Sequence, residues 1–182
     1  MLKPQDIYVL LKLVVLGGRQ WVYADLAVDL GMSPSQLHSS VKRTLESQLA
    51  VRQENRIVPQ YRNLEEFLIH GLKYVFWAKP GEMTRGVLTA YAAPPLASMI
   101  YSEWSAQEPP LVWPDSEGNV RGMALPPLYK KASKAVKKDR EFYEILALVD
   151  AIRSGRARER EIAAKELKVR LASYASNIQP QY

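Results

Sequence analysis

Residues 23–45 read YADLAVDLGMSPSQLHSSVKRTL, and this stretch decides how the first part of the chain folds. Apolar residues recur at helical spacing on both sides of Gly31, which is itself typical of a helix end. Ser33 and Pro34 are typical of an N-cap and a first helical turn, and Gln36 can complete a capping box with Ser33. The stretch therefore predicts two helices that are separated by a tight turn.

The two predicted helices are expected to pack against each other at a steep angle. Ala27 provides the small side chain at the closest approach, and apolar residues line both facing sides. These apolar residues are Leu26, Leu30, Met32 and Leu37. The spacing is that of a helix-turn-helix, whose second helix can enter the major groove of DNA with its N-terminal polar residues at the base edges.

The sequence on either side of this motif predicts further regular structure. Residues 49–52 and 56–58 are predicted to form two strands joined by a polar tip. Asn63 is expected to cap a following helix, which ends near Pro80. Residues 4–16 predict an earlier helix that is almost wholly apolar, so we expect it to be buried on several sides and to be a candidate for a dimer core.

Residues 23–51, together with the strand pair at 49–58, resemble the winged helix-turn-helix of bacterial transcriptional regulators of the MarR type. The similarity lies in the series Leu26-Ala27 and Leu30-Gly31-Met32-Ser33-Pro34-Ser35, which is similar to the commonest form of the motif in that family. The resemblance covers about the first 80 residues and implies a winged DNA-binding domain over residues 1–79. Regulators of this type have terminal helix pairs for dimerisation, but no counterpart of residues 80–128.

The resemblance also implies which residues contact DNA. The set comprises Ser33, Ser35, Gln36, His38, Ser39, Lys42, Arg43, Arg52 and Arg56. Ser35, Gln36 and Ser39 are expected to hydrogen-bond to bases from the exposed face of the second helix, which His38 shares. The basic residues of the helix and of the strand pair are expected to meet phosphates, and Ser33 is expected to combine capping with phosphate binding.

Residues 80–128 contain eight of the twelve prolines and several aromatic residues. We expect this segment to be ordered but irregular, packed over the helices. Residues 111–123 place a turn cluster between two apolar runs and predict a β-hairpin. We expect the aromatic residues of this segment, and Trp77 just before it, to pack against the helices. The alternative is that they line a ligand pocket. These aromatic residues are Trp77, Tyr91, Trp104 and Trp113.

Residues 129–175 are predicted to be helical. A basic run at 130–138 leads into two amphipathic helices, 139–153 and 157–173, which should form a helical hairpin. The fold class is therefore mainly α with a small β component (α+β), and residues 80–182 are predicted to be a C-terminal module for dimerisation or partner binding.

Composition limits the chemistry of the chain. There is no cysteine and only two histidines, and no nucleophile–base arrangement is recognisable, so we expect neither an enzyme nor a metal or cofactor site. The apolar N-terminal run is interrupted by Asp6 and Lys12 and is too short to span a bilayer, so we expect a cytoplasmic protein with no membrane contact. The net charge of +6 is concentrated at the two ends of the chain, which suits either a polyanionic partner or solvated helix faces.

These patterns favour a homodimeric transcriptional repressor that reads a pseudo-palindromic operator in double-stranded DNA. A two-fold dimer would place two recognition helices about 34 Å apart, in successive major grooves. An alternative is an antitoxin-like protein that clasps a partner protein through residues 80–182 and regulates its own operon. A third reading is a regulator gated by a ligand held among the aromatic residues.

Overall fold

The computed structural model describes residues 1–100 and 107–178, which are mainly helical with a small amount of strand. The helices are α1 (Pro4–Leu16), α2 (Tyr23–Leu30), α3 (Pro34–Glu46), α4 (Tyr61–Glu66), α5 (Leu72–Val75), α6 (Leu96–Met99), α7 (Ala132–Ala135), α8 (Arg140–Ser154) and α9 (Ala157–Ser176). The strands are β1 (Ala50–Gln53), β2 (Arg56–Pro59), β3 (Met83–Leu88), β4 (Leu111–Pro114) and β5 (Val120–Ala124). None of the helices in this described part of the chain has the length and apolar character that a bilayer crossing requires.

Helix α1 is a core element of the molecule. Every residue from Asp6 to Val15 is buried, and the helix packs against α3, α8 and α9. The helix predicted over residues 4–16 is therefore confirmed, but the expectation that it could form a dimer core is wrong, because the rest of the same chain covers it. Apolar residues from both sides of the boundary predicted at residue 79 belong to one continuous hydrophobic core.

Helices α2 and α3 are the two helices predicted within residues 23–45, and Gly31 between them adopts the left-handed conformation (φ 66°). The predicted strand pair is also present, as the antiparallel hairpin β1–β2. The next helix begins at Tyr61, and the Asn63 side-chain amide donates to the Gln48 carbonyl oxygen at 2.9 Å. Asn63 therefore ties α4 to the segment before the hairpin and does not cap the helix as predicted.

Helices α4 and α5 are two parts of one continuous helix. A π-helical turn, Phe67–Gly71, joins them, and the backbone stays helical on both sides of it. The helix ends at Val75, earlier than the end predicted near Pro80. At this end Tyr74, Val75 and Trp77 are 73%, 55% and 67% exposed, so apolar surface faces the solvent.

Strands β3, β4 and β5 form a small three-stranded sheet that closes on itself. Strand β4 pairs with the second half of β3 and β5 pairs with the first half, both antiparallel, while β4 and β5 meet in parallel. The hairpin predicted over residues 111–123 is therefore wrong, because its two strands run in the same direction and share β3 as their partner. Gly86 permits the tight closure, since a Cβ atom there would overlap the Trp113 carbonyl oxygen.

Helix α8 carries a buried ion pair beneath this sheet. Asp150 and Arg153 are both buried, and Arg153 Nη1 donates to Asp150 Oδ1 at 2.7 Å. The other carboxylate oxygen accepts from Thr89 Oγ1 at 2.7 Å and from Trp113 Nε1 at 2.6 Å. Asp150 thus joins α8 to β4 and to the end of β3.

The aromatic residues of the alternative ligand pocket differ in their environments where the structure describes them. Trp113 is buried in the core and Tyr91 is half-buried, with its hydroxyl donating to the Pro109 carbonyl oxygen at 3.0 Å. Trp77 is exposed, and Trp104 lies outside the described residues. Packing therefore accounts for Trp113, and the three described residues do not line one common pocket.

Helices α8 and α9 form the predicted helical hairpin. Asp139 caps α8, because its Oδ1 atom accepts from the Phe142 backbone N–H at 3.0 Å. Helix α9 continues to Ser176, beyond its predicted end, and keeps an exposed side along much of its length. Most of α8 is buried, as α1 is. Of the helices that were expected to take part in dimerisation, α9 is therefore the one with an exposed side.

Candidate nucleic-acid interface

Helix α3 has one face in the core and one face in the solvent. The core face is formed by Leu37, Ser40, Val41 and Thr44, all of which are buried. The exposed face carries five of the residues predicted to contact DNA, namely Ser35, Gln36, His38, Ser39 and Lys42. The fold therefore gathers these five side chains on one solvent-facing surface, and the buried face opposite fixes the rotation of the helix about its axis.

The first turn of α3 is closed by the predicted capping box. Ser33 Oγ accepts from the Gln36 backbone N–H at 3.2 Å, and Gln36 Oε1 accepts from the Ser33 backbone N–H at 3.0 Å. Ser33 Oγ also lies 3.3 Å from Ser35 Oγ. All three side chains are exposed. The capping box holds the Ser33 and Gln36 side chains in place at the end of α3 that follows the turn, and Ser35 lies beside them.

Lys42 and Arg43 are neighbours in the chain but have different environments. The Lys42 side chain is 78% exposed, and its ammonium group lies 3.9 Å from the Glu46 carboxylate. Arg43 donates from Nε and Nη2 to the two carboxylate oxygens of buried Asp6, at 2.8 and 2.7 Å, and the hydrogen bond to Asp6 raises its pKa. A bidentate pair of this kind is strong, so we reassign Arg43 from phosphate binding to holding α3 against α1.

His38 belongs to a small aromatic cluster that the sequence analysis did not identify. Its ring stacks on Tyr23, with ring centres 3.7 Å apart and planes 11° apart, and Trp21 packs edge-on against Tyr23 at 5.1 Å. His38 is exposed and both aromatic residues are half-buried. The presence of two aromatic residues at the start of α2 was the available signal, but the contact of Tyr23 with His38 depends on the crossing of α2 and α3.

A groove of about 830 Å³ separates the α1–α2 connection from the β1–β2 hairpin. Its lining combines arginine and aromatic side chains with one carboxylate, that of Glu54. The arginine and aromatic residues are Arg19, Arg52, Arg56, Trp21 and Tyr23. Because Tyr23 also stacks on His38, the groove and the exposed face of α3 form one continuous surface, whose arginines can bind phosphate.

Arg52 and Arg56 are both exposed, but they leave opposite faces of the hairpin. Arg52 pairs with Ile57 and Gln53 pairs with Arg56, and side chains alternate between the two faces along each strand. The two arginines predicted to meet phosphates from the strand pair therefore project from opposite faces of the hairpin. Both side chains lie near its tip, where they are free to reach a backbone on either side.

Two tyrosine hydroxyls hold the turn between α2 and α3 from behind. Tyr8 on α1 donates to the Leu30 carbonyl oxygen at 3.1 Å, and Tyr129 donates to the Gly31 carbonyl oxygen at 3.3 Å. Burial, with a smaller effect of Tyr129, raises the pKa of the Tyr8 hydroxyl far above its ordinary value, so it remains a donor. Residues from both halves of the chain thus position the turn that leads into α3.

The described residues contain no group of three or more metal-ligating side chains that could hold an ion. No protein-family model matches the chain, and neither a curated protein nor a solved structure matches it. The arrangement of α2, α3 and the hairpin is therefore the observation on which a functional assignment depends.

Proposed function

We propose that the protein is a sequence-specific DNA-binding regulator in which α2, α3 and the β1–β2 hairpin act as a winged helix-turn-helix. The observation that carries this proposal is the exposed polar face of α3, which follows a capped first turn and lies opposite a face that is buried in the core. A helix presented in this way fits the major groove, with the hairpin beside the flanking backbone.

The exposed groups of α3 match the chemistry of base and phosphate contacts. Ser35, Gln36 and Ser39 offer hydroxyl and amide groups to base edges, and Lys42 offers an ammonium group to a phosphate. His38 is held by its stacking on Tyr23, so we assign it a contact at the edge of the helix face. Arg52 and Arg56 are assigned to phosphates, one on each side of the hairpin.

We further propose a homodimeric repressor, because a two-fold pair would place two α3 helices about 34 Å apart on one side of the duplex. Helices α1 and α8 are buried within the chain, so we assign the pairing surface to the exposed side of α9. This pairing would require a pseudo-palindromic operator.

Selection of bound duplexes from a random pool, with the full-length protein, tests these proposals together. An enriched palindrome with a fixed half-site spacing is expected, and its recovery would support both the DNA-binding and the dimer assignments. Enrichment of a single half-site would contradict the dimer alone. Recovery of no enriched sequence, together with no retention of any duplex at low salt, would contradict DNA binding.

A second function, binding of a partner protein in the manner of an antitoxin, is favoured by the exposed apolar residues at the end of α5. Tyr74, Val75 and Trp77 are each more than half exposed, and clustered surface of this kind marks many protein interaction sites. Expression of the intact operon should yield a stoichiometric partner that Trp77→Ala loses. Val169→Ala, which removes an equally exposed apolar side chain from α9, is the matched control and should retain it. Purification of the wild-type chain without a partner would exclude this function.

A further inference from the structure

The segment that contains residues 128–138 lies against the turn between α2 and α3. The Tyr129 hydroxyl donates to the Gly31 carbonyl oxygen at 3.3 Å, and a Cβ atom placed on Gly31 would lie 3.0 Å from Lys131 Cβ. Helix α7 packs against α2 in the same region. The N-cap of α3, Ser33, follows Gly31 by two residues, so this segment borders the end of α3 that we assign to DNA.

The outward side of this segment is strongly basic. Ala132, Ser133 and Val136 are buried beneath it. Its five lysines are all exposed, and they are Lys130, Lys131, Lys134, Lys137 and Lys138. Within residues 1–100 and 107–178, Lys137 pairs with Glu117 at 3.1 Å, and the other four make no ion pair. We refer to residues 130–138 as the lysine segment.

We propose that the lysine segment is a second DNA-contacting surface, which binds backbone phosphates beside the bases read by α3. The inference rests on the proposed function. Its physical basis is that buried residues anchor the segment, so its backbone loses little conformational freedom when the exposed ammonium groups meet phosphates. Lysine suits this role because its ammonium group binds a phosphate as a point charge. Such a contact does not discriminate between base sequences.

The proposal predicts a footprint that is larger than a single helix and hairpin would produce. The lysine segment extends the positive surface from the α2–α3 turn on the side of α7, while Arg52 and Arg56 lie in the β1–β2 hairpin beyond α3. The chain would therefore contact phosphates on both flanks of each half-site. Such contacts strengthen binding to every duplex and steepen its dependence on salt.

The test is the triple variant Lys130→Gln, Lys131→Gln and Lys134→Gln in the full-length protein. Glutamine keeps the Cβ and Cγ atoms of Lys131 that lie near Gly31, and it is a good helix former, so the fold should be retained. Binding to a selected duplex would be measured between 50 and 200 mM salt. Loss of up to three phosphate contacts should lower the slope of log K against log salt by about 2–3, with the ranking of duplex sequences unchanged.

The matched control is the triple variant Lys79→Gln, Arg85→Gln and Arg121→Gln, which lies outside α3, the β1–β2 hairpin and the α9 surface assigned to pairing. It removes the same charge from exposed positions that do not border the α2–α3 turn, and its salt slope should change much less than that of the lysine-segment variant. Ethylation interference on the same duplex should show flanking phosphates that matter for the wild type and not for the lysine-segment variant.

The possible outcomes separate this inference from the proposed function. If the wild type binds the selected duplex and the lysine-segment variant keeps its salt slope and phosphate footprint, the second surface is refuted while DNA binding by α3 stands. If the salt slope falls equally in both triple variants, the effect is one of net charge, and the second surface is also refuted. If the wild type retains no duplex at any salt concentration, the proposed function itself fails.

Discussion

Two buried carboxylates anchor two regions of this molecule, and they do so differently. Asp6 lies in α1 and binds one side chain, that of Arg43, which remains 17% exposed. Asp150 lies in α8 and accepts from Thr89, Trp113 and Arg153, all of which are buried. The first anchor positions a surface helix, and the second joins the sheet to the core.

The difference lies in what happens when each anchor is lost. The partly exposed Arg43 side chain can turn its guanidinium toward water, whereas the Arg153 side chain is 4% exposed and has no such route. Removal of one partner from a fully buried ion pair leaves an uncompensated charge and is strongly destabilising. Removal of Asp6 should therefore affect mainly the position of α3, and removal of Asp150 should affect the stability of the whole chain.

Asp150→Asn is expected to have the largest effect. It leaves Arg153 buried without a counter-charge and places an amide where three donors converge, so the free energy of unfolding should fall by about 3–5 kcal/mol. Urea denaturation followed by circular dichroism would measure the loss. Glu161→Gln, the same kind of neutralisation at an exposed pair, should change it by no more than about 0.5 kcal/mol. A loss below 1 kcal/mol for Asp150→Asn would contradict its role as an anchor.

Asp6→Asn should have a smaller effect on stability and a specific effect on DNA binding. Two charge-assisted hydrogen bonds to Arg43 are weakened, so we expect a loss of about 1.5–3 kcal/mol in unfolding free energy. Affinity for a selected duplex should also fall, because α3 loses its tie to α1. Arg43→Lys, with Asp6 intact, keeps the positive charge but not the bidentate geometry, and so should lose only part of the affinity. A stability loss as large as that of Asp150→Asn would remove the distinction between the two anchors.

Tyr8→Phe examines the support beneath the α2–α3 turn. The change leaves the Leu30 carbonyl oxygen without its side-chain donor, and we expect a loss of about 1 kcal/mol in unfolding free energy. Urea denaturation provides the measurement. Tyr74→Phe, at a ring that is 73% exposed, is the control and should leave stability unchanged. Identical results for the two variants would mean that the Tyr8 hydroxyl does not support the turn.

Ser39→Ala should have the smallest effect on stability, within about 0.5 kcal/mol, because the side chain is exposed. Discrimination between a selected duplex and its single-base variants should nevertheless fall by about 1–3 kcal/mol, the range for a lost base contact. Competition binding with a set of mutated duplexes would measure it. Unchanged discrimination at every position would remove Ser39 from the interface.

The parts of the fold that the sequence predicts correctly are those with local causes. Ser33 and Gln36 interact across a single helical turn, so their capping box can be recognised from their spacing. Residues 4–16 combine Pro4 at the start with Gly17 at the end, and the helix has the predicted bounds. The spacing of apolar residues in α2 and α3 likewise depends only on neighbours within each helix.

The errors concern contacts between residues that are distant in the chain. Arg43 could not be recognised as an anchor because Asp6 is 37 residues away, and its spacing places it on α3 beside the exposed Lys42. The turn cluster within residues 111–123 does lie between two strands, but their shared partner is β3, whose MTRGVL sequence gives a weak strand signal. The apolar character of α1 indicated burial correctly, and only the structure shows that α3, α8 and α9 of the same chain provide it.

The central position of α1 has a consequence for engineering. Exchange of residues 1–79 for an unrelated domain would replace the surface of α1 on which α8 packs, and removal of residues 80–182 would uncover the part of α1 that packs against α8 and α9. A graft limited to the solvent-facing residues of α3 leaves this core unchanged. Changes to the proposed DNA-sequence preference should therefore be introduced by surface grafts on α3, with residues 80–182 kept as part of the scaffold.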